Sequence, residues 1–283
     1  MWANNFGITY QRFDQSVATI SSINTSGNNT YIYLYGRCRY AKYAAEALRL
    51  NGLKVKGVFD IKIEKTIGNK YDGIAELGQD ELNQIPKDSI ITDVGSVKEP
   101  IVKTWENLHP LFIGSHPMAG TEKKGVDSGF EGLFKNAKWI ITPTQNSDLN
   151  SVRTISELIK SMDCEICQAS PKEHDEAVSL ISHLPIFLAS ALIETAQTKN
   201  NQSLLDLTQK LAATGFADTS RVGGGNELLG LDLAINNQIN ILNSINNFKN
   251  NLNILESLIK EKNWELLSNK LAEAKENRQN FTN

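Results

Sequence analysis

The first 170 residues alternate short apolar runs with helix-forming stretches. β-prone runs at 31–35 and 53–59 flank an Ala- and Leu-rich stretch at 40–50, which is a β-α-β pattern. The same alternation continues, with strands predicted at 90–94, 111–114, 139–142 and 164–168 and helices at 100–108 and 151–162. Strands that alternate with helices predict a mostly parallel sheet. Residues 1–30 are rich in Asn, Ser and Thr and predict no element.

The pattern changes near residue 171, after which no strand is predicted. The sequence predicts one long apolar helix over 172–198 that is interrupted or bent at Pro185. From 235 to 259, Ile, Leu and Phe recur at steps of three and four, which is helical spacing. We therefore predict an α/β domain over 1–171 and an all-α domain over 172–283. The apolar stripes favour helix-to-helix dimerisation, although a bundle within one chain produces the same pattern.

Composition narrows the possible classes of function. The chain carries 29 basic and 32 acidic side chains, a net charge of −3, whereas nucleic-acid binders usually present a basic face. No apolar run reaches the roughly 20 residues that span a bilayer, and the N-terminus lacks the pattern of a signal peptide. We expect a cytoplasmic protein with neither a membrane nor a nucleic acid as partner.

Three cysteines, Cys38, Cys164 and Cys167, are too few for a disulfide framework. The last two form a CxxC pair, but no second pair lies at metal-ligand spacing and the surroundings of a redox motif are absent. We interpret both as packing residues in a short strand and predict no metal site.

Two predicted strands end in residues that can bind a ligand or move a proton. One runs into Gly95-Ser96 and the other into His116-Pro117. In a parallel sheet both ends lie at the carboxyl edge, where ligands bind. A histidine there titrates near neutral pH and can act as a general base. The simpler alternative is a turn residue at His116 and a helix N-cap at Ser96, and the local pattern leaves both open.

Four separated stretches carry a resemblance to a known family: TDVGSVK (92–98), GSHPMAGTEKKGVDSG (114–129), HDEAVSLISHLP (174–185) and ATGFADTSRVGGGN (213–226). From about residue 86 to its end, the chain resembles prephenate and arogenate dehydrogenases. The resemblance implies a Rossmann-like dinucleotide-binding domain followed by a helical dimerisation domain, with the active site between them. It also implies a homodimer that uses NAD or NADP to oxidise and decarboxylate prephenate or arogenate on the way to tyrosine.

The resemblance also implies roles for particular residues. His116 matches the catalytic histidine that takes the proton of the substrate's ring hydroxyl, and Ser96 matches a serine beside that hydroxyl and the nicotinamide. Arg221 matches the arginine that binds the substrate's side-chain carboxylate, a task suited to its fork of donors. Glu122 matches an acidic residue at the cleft mouth. His183 falls on the helix that lines the cleft.

Each assignment has a structural alternative. A surface salt bridge would explain Arg221, and a buried structural role would explain His183 as well as a substrate contact does. For His174 we favour a role in the first turn of its helix over catalysis. We interpret Gly223–Gly225 as a break between two helices rather than a phosphate cradle, because no strand precedes it.

The predicted cofactor residues are Gly36, Asp60, Gly95 and Ser96. Gly36 ends a strand and begins the sequence GRCRYA, where a dinucleotide fingerprint would have glycine at the position of Cys38. A side chain there would crowd the pyrophosphate. Asp60 ends the next strand, where an acid can bind the ribose hydroxyls of NAD.

Residues 31–60 also resemble the end of a rhodanese-like domain. Gly36 stands where the nucleophilic cysteine of that fold would be, and Cys38 is out of register, so sulfur transfer is not indicated. Two hypotheses therefore remain: a dehydrogenase with an unusual cofactor loop, and a non-catalytic dimeric remnant that has lost cofactor binding.

Overall fold

The computed structural model describes four strands before residue 60 and then residues 87–88, 90–119, 132–197 and 201–282. Its strands are β1 (Gln11–Phe13), β2 (Val17–Ile23), β3 (Ile32–Gly36), β4 (Val55–Phe59), β5 (Ile90–Thr92), β6 (Phe112–Pro117), β7 (Lys138–Thr142) and β8 (Glu165–Gln168). Its α-helices are α1 (Glu99–Leu108), α2 (Leu149–Ser161), α3 (Pro171–Val178), α4 (Leu184–Ala196), α5 (Gln202–Leu211), α6 (Thr214–Ser220), α7 (Glu227–Asn236), α8 (Gln238–Lys260) and α9 (Trp264–Thr282).

The described strands form one sheet in the order β4-β3-β1-β2-β5-β6-β7-β8. The pairs β1–β3, β3–β4, β5–β6 and β7–β8 are parallel, so the predicted mostly parallel sheet followed by helices is confirmed. Three antiparallel pairs, β1–β2, β2–β5 and β6–β7, were not anticipated. Two of them involve β2, which lies in the polar segment for which the sequence predicted no element. The predicted helix at 40–50 lies outside the described residues.

Helices cover both faces of the sheet around β5 and β6. Neighbouring residues of a strand point to opposite faces. Ile113 packs with Ile155 and Ile159 of α2 in one apolar cluster, while Phe112 stacks on Trp105 of α1 with ring centroids 5.5 Å apart. The core therefore holds the two strands whose ends carry the candidate site.

Helix α1 approaches β6 so closely that only glycine fits at residue 114. A Cβ atom there would lie 2.5 Å from both Val102 Cγ2 and Thr142 Oγ1. Contacts under 3 Å force something to move, and both neighbours belong to the packed interior. Gly114 thus lets α1 pack directly over the strand that leads to His116.

Ser170 and Glu173 begin the helical half of the chain with a capping box. Helix α3 then passes through a π-helical turn (Ser179–His183) into α4. The π turn ends just before Pro185, the residue at which the sequence predicted that the helix is interrupted or bent.

The continuous helical segment Pro171–Ala196 is 26 residues long and contains a window of mean hydropathy 1.7, so by length and composition alone it could cross a membrane. We expected no apolar run long enough to span a bilayer, whereas the π turn continues α3 into α4 as one helical segment. The core helix of a water-soluble protein passes the same test, and this segment buries His174, Asp175 and His183.

The chain forms two compact units, residues 1–238 and residues 239–283. The first contains the sheet, its covering helices and α3 to α7. The second contains most of α8 and all of α9. The boundary predicted near residue 171 separates the α/β part of the sequence from the all-α part, and it stays a prediction.

Candidate active site

The ends of β5 and β6 form the centre of the site. The two strands are parallel, and Thr92 pairs with Ile113. Three residues further on, Gly95 and His116 therefore lie at about the same level along the sheet. Gly95 is buried and Ser96 is half-buried, so the serine is the more accessible residue of this turn. The predicted convergence of the Gly95-Ser96 turn and His116 on one sheet edge agrees with this register.

A buried ion pair shapes the turn after β5. Asp93 and Lys98 are both fully buried, and the Lys98 ammonium donates to Asp93 Oδ2. The same carboxylate accepts the backbone N–H of Gly95 at 2.8 Å and that of Ser115 at 3.0 Å. Burial lowers the pKa of Lys98, while the charge of Asp93 acts in the opposite direction. The pair thus joins the Gly95 turn to the strand that carries His116.

The Ser115 side chain joins three elements immediately before His116. Its hydroxyl accepts from Trp139 Nε1 and Thr92 Oγ1, each at 3.0 Å, and donates to the Asp93 carbonyl. The Ser115 carbonyl accepts from Lys98 Nζ at 2.7 Å. Because every polar group of this buried residue is satisfied, the backbone leading to His116 has little freedom to move.

His116 lies near the end of β6 and is only 8% exposed. Burial, followed by the positive charge of Lys98 and then the two histidines His174 and His183, lowers the pKa of His116 well below its usual value. The imidazole is therefore neutral at physiological pH, which is the state that a general base requires.

A chain of hydrogen bonds runs from His116 into α3. His116 Nδ1 lies 2.8 Å from His174 Nε2, and His174 Nδ1 lies 2.7 Å from Asp175 Oδ1. The two rings meet edge to face, with centroids 5.0 Å apart. His174 and Asp175 are 2% and 1% exposed. This contact between His174 and His116 was not predicted, since the N-cap or first-turn role that we favoured for His174 does not require it.

His183 lies in the π turn and is fully buried within the chain. Its Nδ1 lies 3.2 Å from Asn237 Nδ2, an amide nitrogen that also donates to the Asp175 carbonyl at 2.8 Å. Burial lowers the pKa of His183 to about 4, although Asp175 and the Ser96 backbone raise it. This environment matches the structural alternative that the sequence left open. The substrate contact stays a prediction.

Arg221 begins a 3₁₀ turn (Arg221–Gly224) and is exposed. The turn packs against the backbone of α4, since a Cβ atom on Gly223 would lie 2.6 Å from Ala189 C and Ser190 N. Glycine is thus required where two backbones touch, which explains the break between helices that the sequence indicated. The same close contact fixes the position of Arg221 along α4.

The remaining predicted residues are placed only in part. Gly36 is the last residue of β3, and its neighbour Tyr35 pairs with Phe59, the last residue of the parallel strand β4. The backbone around Gly36 thus has the predicted strand-end position. Asp60 and Glu122 lie outside the described residues. Strands β1 and β2 separate β3 from β5, whereas the usual dinucleotide fold has fewer intervening strands at this point.

Cys164 belongs to the apolar cluster, and its thiol donates to the Phe134 carbonyl at 3.1 Å. Burial raises the pKa of this thiol, so it is a poor nucleophile. This environment agrees with the packing role predicted from the CxxC sequence.

Comparison with known proteins places these features in a family. Residues 73–168 match the family model for the nucleotide-binding domain of prephenate dehydrogenase, and residues 170–273 match the model for its dimerization domain. The crystal structure of Synechocystis arogenate dehydrogenase superimposes with a TM-score of 0.72 at 31% identity, covering 89% of this chain and 92% of that one. The chain belongs to the prephenate dehydrogenase family. The predicted resemblance is therefore confirmed.

Other members of the family show the extent of the likeness. Prephenate dehydrogenase of Bacillus subtilis is 32% identical over 197 residues, which are 69% of this chain and 53% of that protein. This chain thus spans about half the length of that relative. Prephenate dehydrogenase of Aquifex aeolicus, solved with hydroxyphenyl propionate and NAD+, has a TM-score of 0.73 at 27% identity and covers 88% of each chain.

Proposed function

We propose that the protein catalyses the NAD(P)-dependent oxidative decarboxylation of prephenate or arogenate in tyrosine biosynthesis. The observation that carries the proposal is a buried, neutral His116 at the edge of a parallel strand pair, level with the Gly95-Ser96 turn. The names of its relatives support it, since they include prephenate, arogenate and cyclohexadienyl dehydrogenases.

In this mechanism His116 Nε2 takes the proton of the ring hydroxyl while the carbon that bears it becomes a carbonyl. Ser96 would hydrogen-bond the same hydroxyl and orient it. Arg221 would bind the side-chain carboxylate, and Glu122 and His183 would lie around the cleft. The nicotinamide, when bound, supplies the acceptor for the hydride that leaves this carbon. Loss of CO2 then makes the ring aromatic, which drives the reaction.

The described residues fit the nicotinamide end of a cofactor better than its pyrophosphate end. The accessible Ser96 follows a turn whose backbone is held by Asp93, as a fixed contact to a flat ring requires. Gly36 and Asp60 would hold the other end, at the carboxyl ends of β3 and β4. Cys38 and the two strands between β3 and β5 are departures from the usual site.

These departures favour a second candidate function, a dimeric remnant that no longer binds the cofactor. Titration with NAD and with NADP separates the two candidates. Trp139 donates a hydrogen bond to Ser115, next to His116, so cofactor binding should change the fluorescence of Trp139. Cofactor binding should also raise the melting temperature. A response to either cofactor at micromolar concentration supports the enzyme, and no response at millimolar concentration supports the remnant.

We further propose a cytoplasmic homodimer formed through helices of the C-terminal domain, with the domains divided near residue 171. The match of residues 170–273 to a dimerization domain supports the dimer. So do the large apolar side chains that α5, α7, α8 and α9 expose, for example Leu211, Leu231, Leu242, Leu252 and Leu271.

Steady-state rates with both substrates and both cofactors test the proposed reaction. We expect NAD(P)H formation with at least one of the four combinations, accompanied by stoichiometric release of CO2. Turnover of none of them by a folded protein that binds cofactor would refute it.

A further inference from the structure

We propose that His174 and Asp175 are positioning residues that set the tautomer of His116, so that its Nδ1 carries the proton and its Nε2 is the base. The inference deepens the proposed function and rests on it for its consequences in catalysis. The hydrogen-bonded geometry on which it depends is independent of any substrate.

The Asp175 carboxylate accepts three hydrogen bonds. Oδ1 accepts the Lys98 backbone N–H at 2.7 Å and the His174 ring, and Oδ2 accepts the Glu99 backbone N–H at 2.8 Å. Lys98 is the N-cap of α1 and makes no side-chain cap of its own. Asp175 therefore supplies the cap from a different helix. A carboxylate is favoured there, because it has only acceptors and faces the positive end of the helix dipole.

The carboxylate of Asp175 determines which ring nitrogen carries the proton in His174 and in His116. Because the carboxylate only accepts, His174 Nδ1 must donate to it. A neutral His174 then has an unprotonated Nε2, which lies 2.8 Å from His116 Nδ1 and must accept from it. A neutral His116 that donates through Nδ1 has no proton on Nε2. The buried acceptor on α3 thus selects the tautomer that can take a proton.

The same chain stabilises the charge that develops during proton transfer. When the substrate hydroxyl gives its proton to Nε2, His116 becomes an imidazolium and still donates through Nδ1. The positive charge of Lys98 opposes a positive charge on His116. Asp175, one imidazole further away, is the negative group that counters it through His174. Without it, His116 would retain its position but lose both its tautomer and its counter-charge.

Asp175→Asn tests the inference because it keeps the shape and a capping oxygen. With its amide nitrogen at the Oδ1 position, the variant gives up the hydrogen bond from the Lys98 N–H and can donate to His174 Nδ1, which would reverse both hydrogen bonds and place the proton on His116 Nε2. We expect kcat to fall by about 10²- to 10⁴-fold, with KM and the cofactor dissociation constant changed less than about threefold. Glu176→Gln is the matched control, since it removes the neighbouring but exposed carboxylate and should change neither.

A second pair of variants covers the case in which Asp175→Asn does not fold. His174→Gln retains an amide oxygen that can accept from His116 Nδ1, whereas His174→Phe retains a ring but no acceptor. We expect Gln to keep at least ten times the kcat of Phe at similar thermal stability. Equal losses in the two variants would overturn the inference, because they would show that packing alone matters.

Nitrogen-15 NMR of histidine-labelled full-length protein reads the tautomer without any substrate. Long-range ¹⁵N–¹H correlations distinguish Nδ1–H from Nε2–H, and the His116 signals are assigned by their loss in His116→Asn. We expect Nδ1–H for His116 in the unmodified protein and Nε2–H in Asp175→Asn. An Nε2–H form in the unmodified protein would overturn the inference even in an active enzyme. The Nδ1–H form in a protein with no turnover would uphold it and refute the proposed function instead.

Discussion

Replacing Lys98 by methionine should lower the free energy of unfolding, because it breaks the buried ion pair beneath the site without changing an exposed residue. The substitution keeps most of the side-chain length but leaves the Asp93 carboxylate buried with only the Gly95 and Ser115 amides as partners. Breaking a buried ion pair from one side costs about 3–5 kcal/mol, because the remaining charge is uncompensated. The Ser115 carbonyl also loses its donor.

For the reciprocal variant, Asp93→Asn, the loss of stability has an upper limit, which is the free energy needed to neutralise Lys98. An unpaired Lys98 can give up its proton, and neutralising a lysine of ordinary pKa 10.5 at pH 7 costs about 5 kcal/mol. Burial already lowers that pKa, so the actual cost is smaller. The double variant has no charge at either of these two positions, and we expect its loss of stability to be about 2–3 kcal/mol less than the sum of the two single losses.

Urea unfolding followed by circular dichroism, at one fixed protein concentration, measures all three variants. Lys103→Met, on the exposed side of the same helix, is the control and should change the free energy of unfolding by no more than about 0.5 kcal/mol. A Lys98→Met loss below about 1 kcal/mol, or single losses that simply add, would refute the view that Asp93 and Lys98 form a coupled pair.

Three further predictions concern pH, the 221–224 turn and assembly. The pKa of His183 is about 4 in the folded chain and about 6.5 when unfolded, so the unfolded state binds more protons between these values and stability should fall as pH drops from 6.5 to 4. The loss of stability that this histidine causes is at most about 3 kcal/mol. Urea unfolding of His183→Gln between pH 6.5 and 4 should show that this loss has disappeared, and the same pH dependence in the variant would contradict the lowered pKa of His183. Gly223→Ala should raise the KM for substrate and destabilise the protein by about 1–3 kcal/mol, because its Cβ would meet the backbone of α4. The control Gly224→Ala, which has open space around it, should change neither quantity in the same kinetic and unfolding assays. Leu242→Glu, at a 58% exposed apolar position, should shift the protein from dimer to monomer in light scattering, whereas the change Asn247→Glu on the same helix should not; a persistent dimer would exclude this face.

The periodicity of the sequence predicted the core elements because burial on both faces leaves a strong local signal. β5, β6 and α2 each bury apolar residues, for example Ile91, Ile113 and Ile159, and their positions agree with prediction to within a few residues. Strands β1 and β2 were missed because β1 is only three residues long, and because β2 mixes apolar residues with Thr and Ser without a strict alternation or an apolar run. Their pairing depends on partners distant in sequence.

The parts of the site that depend on residues close together in sequence were predicted, whereas contacts between residues distant in sequence were not. The strand-end positions of Ser96 and His116 follow from strand and turn residues within a few positions of each other. The His116–His174–Asp175 chain joins residues 58 positions apart, and a helix start was a sufficient explanation for His174 alone. The signal that connects them is structural: both His174 and Asp175 are buried, and buried polar groups need partners.

In the proposed mechanism, His116 takes the substrate's proton, while other residues bind the cofactor and the substrate. The most direct measurement is the turnover number of His116→Asn with the substrate and cofactor that the unmodified protein prefers, alongside the dissociation constants of both. We predict a fall in kcat of about 10²- to 10⁴-fold with both dissociation constants nearly unchanged. An unchanged kcat would remove His116 from the mechanism and contradict the account.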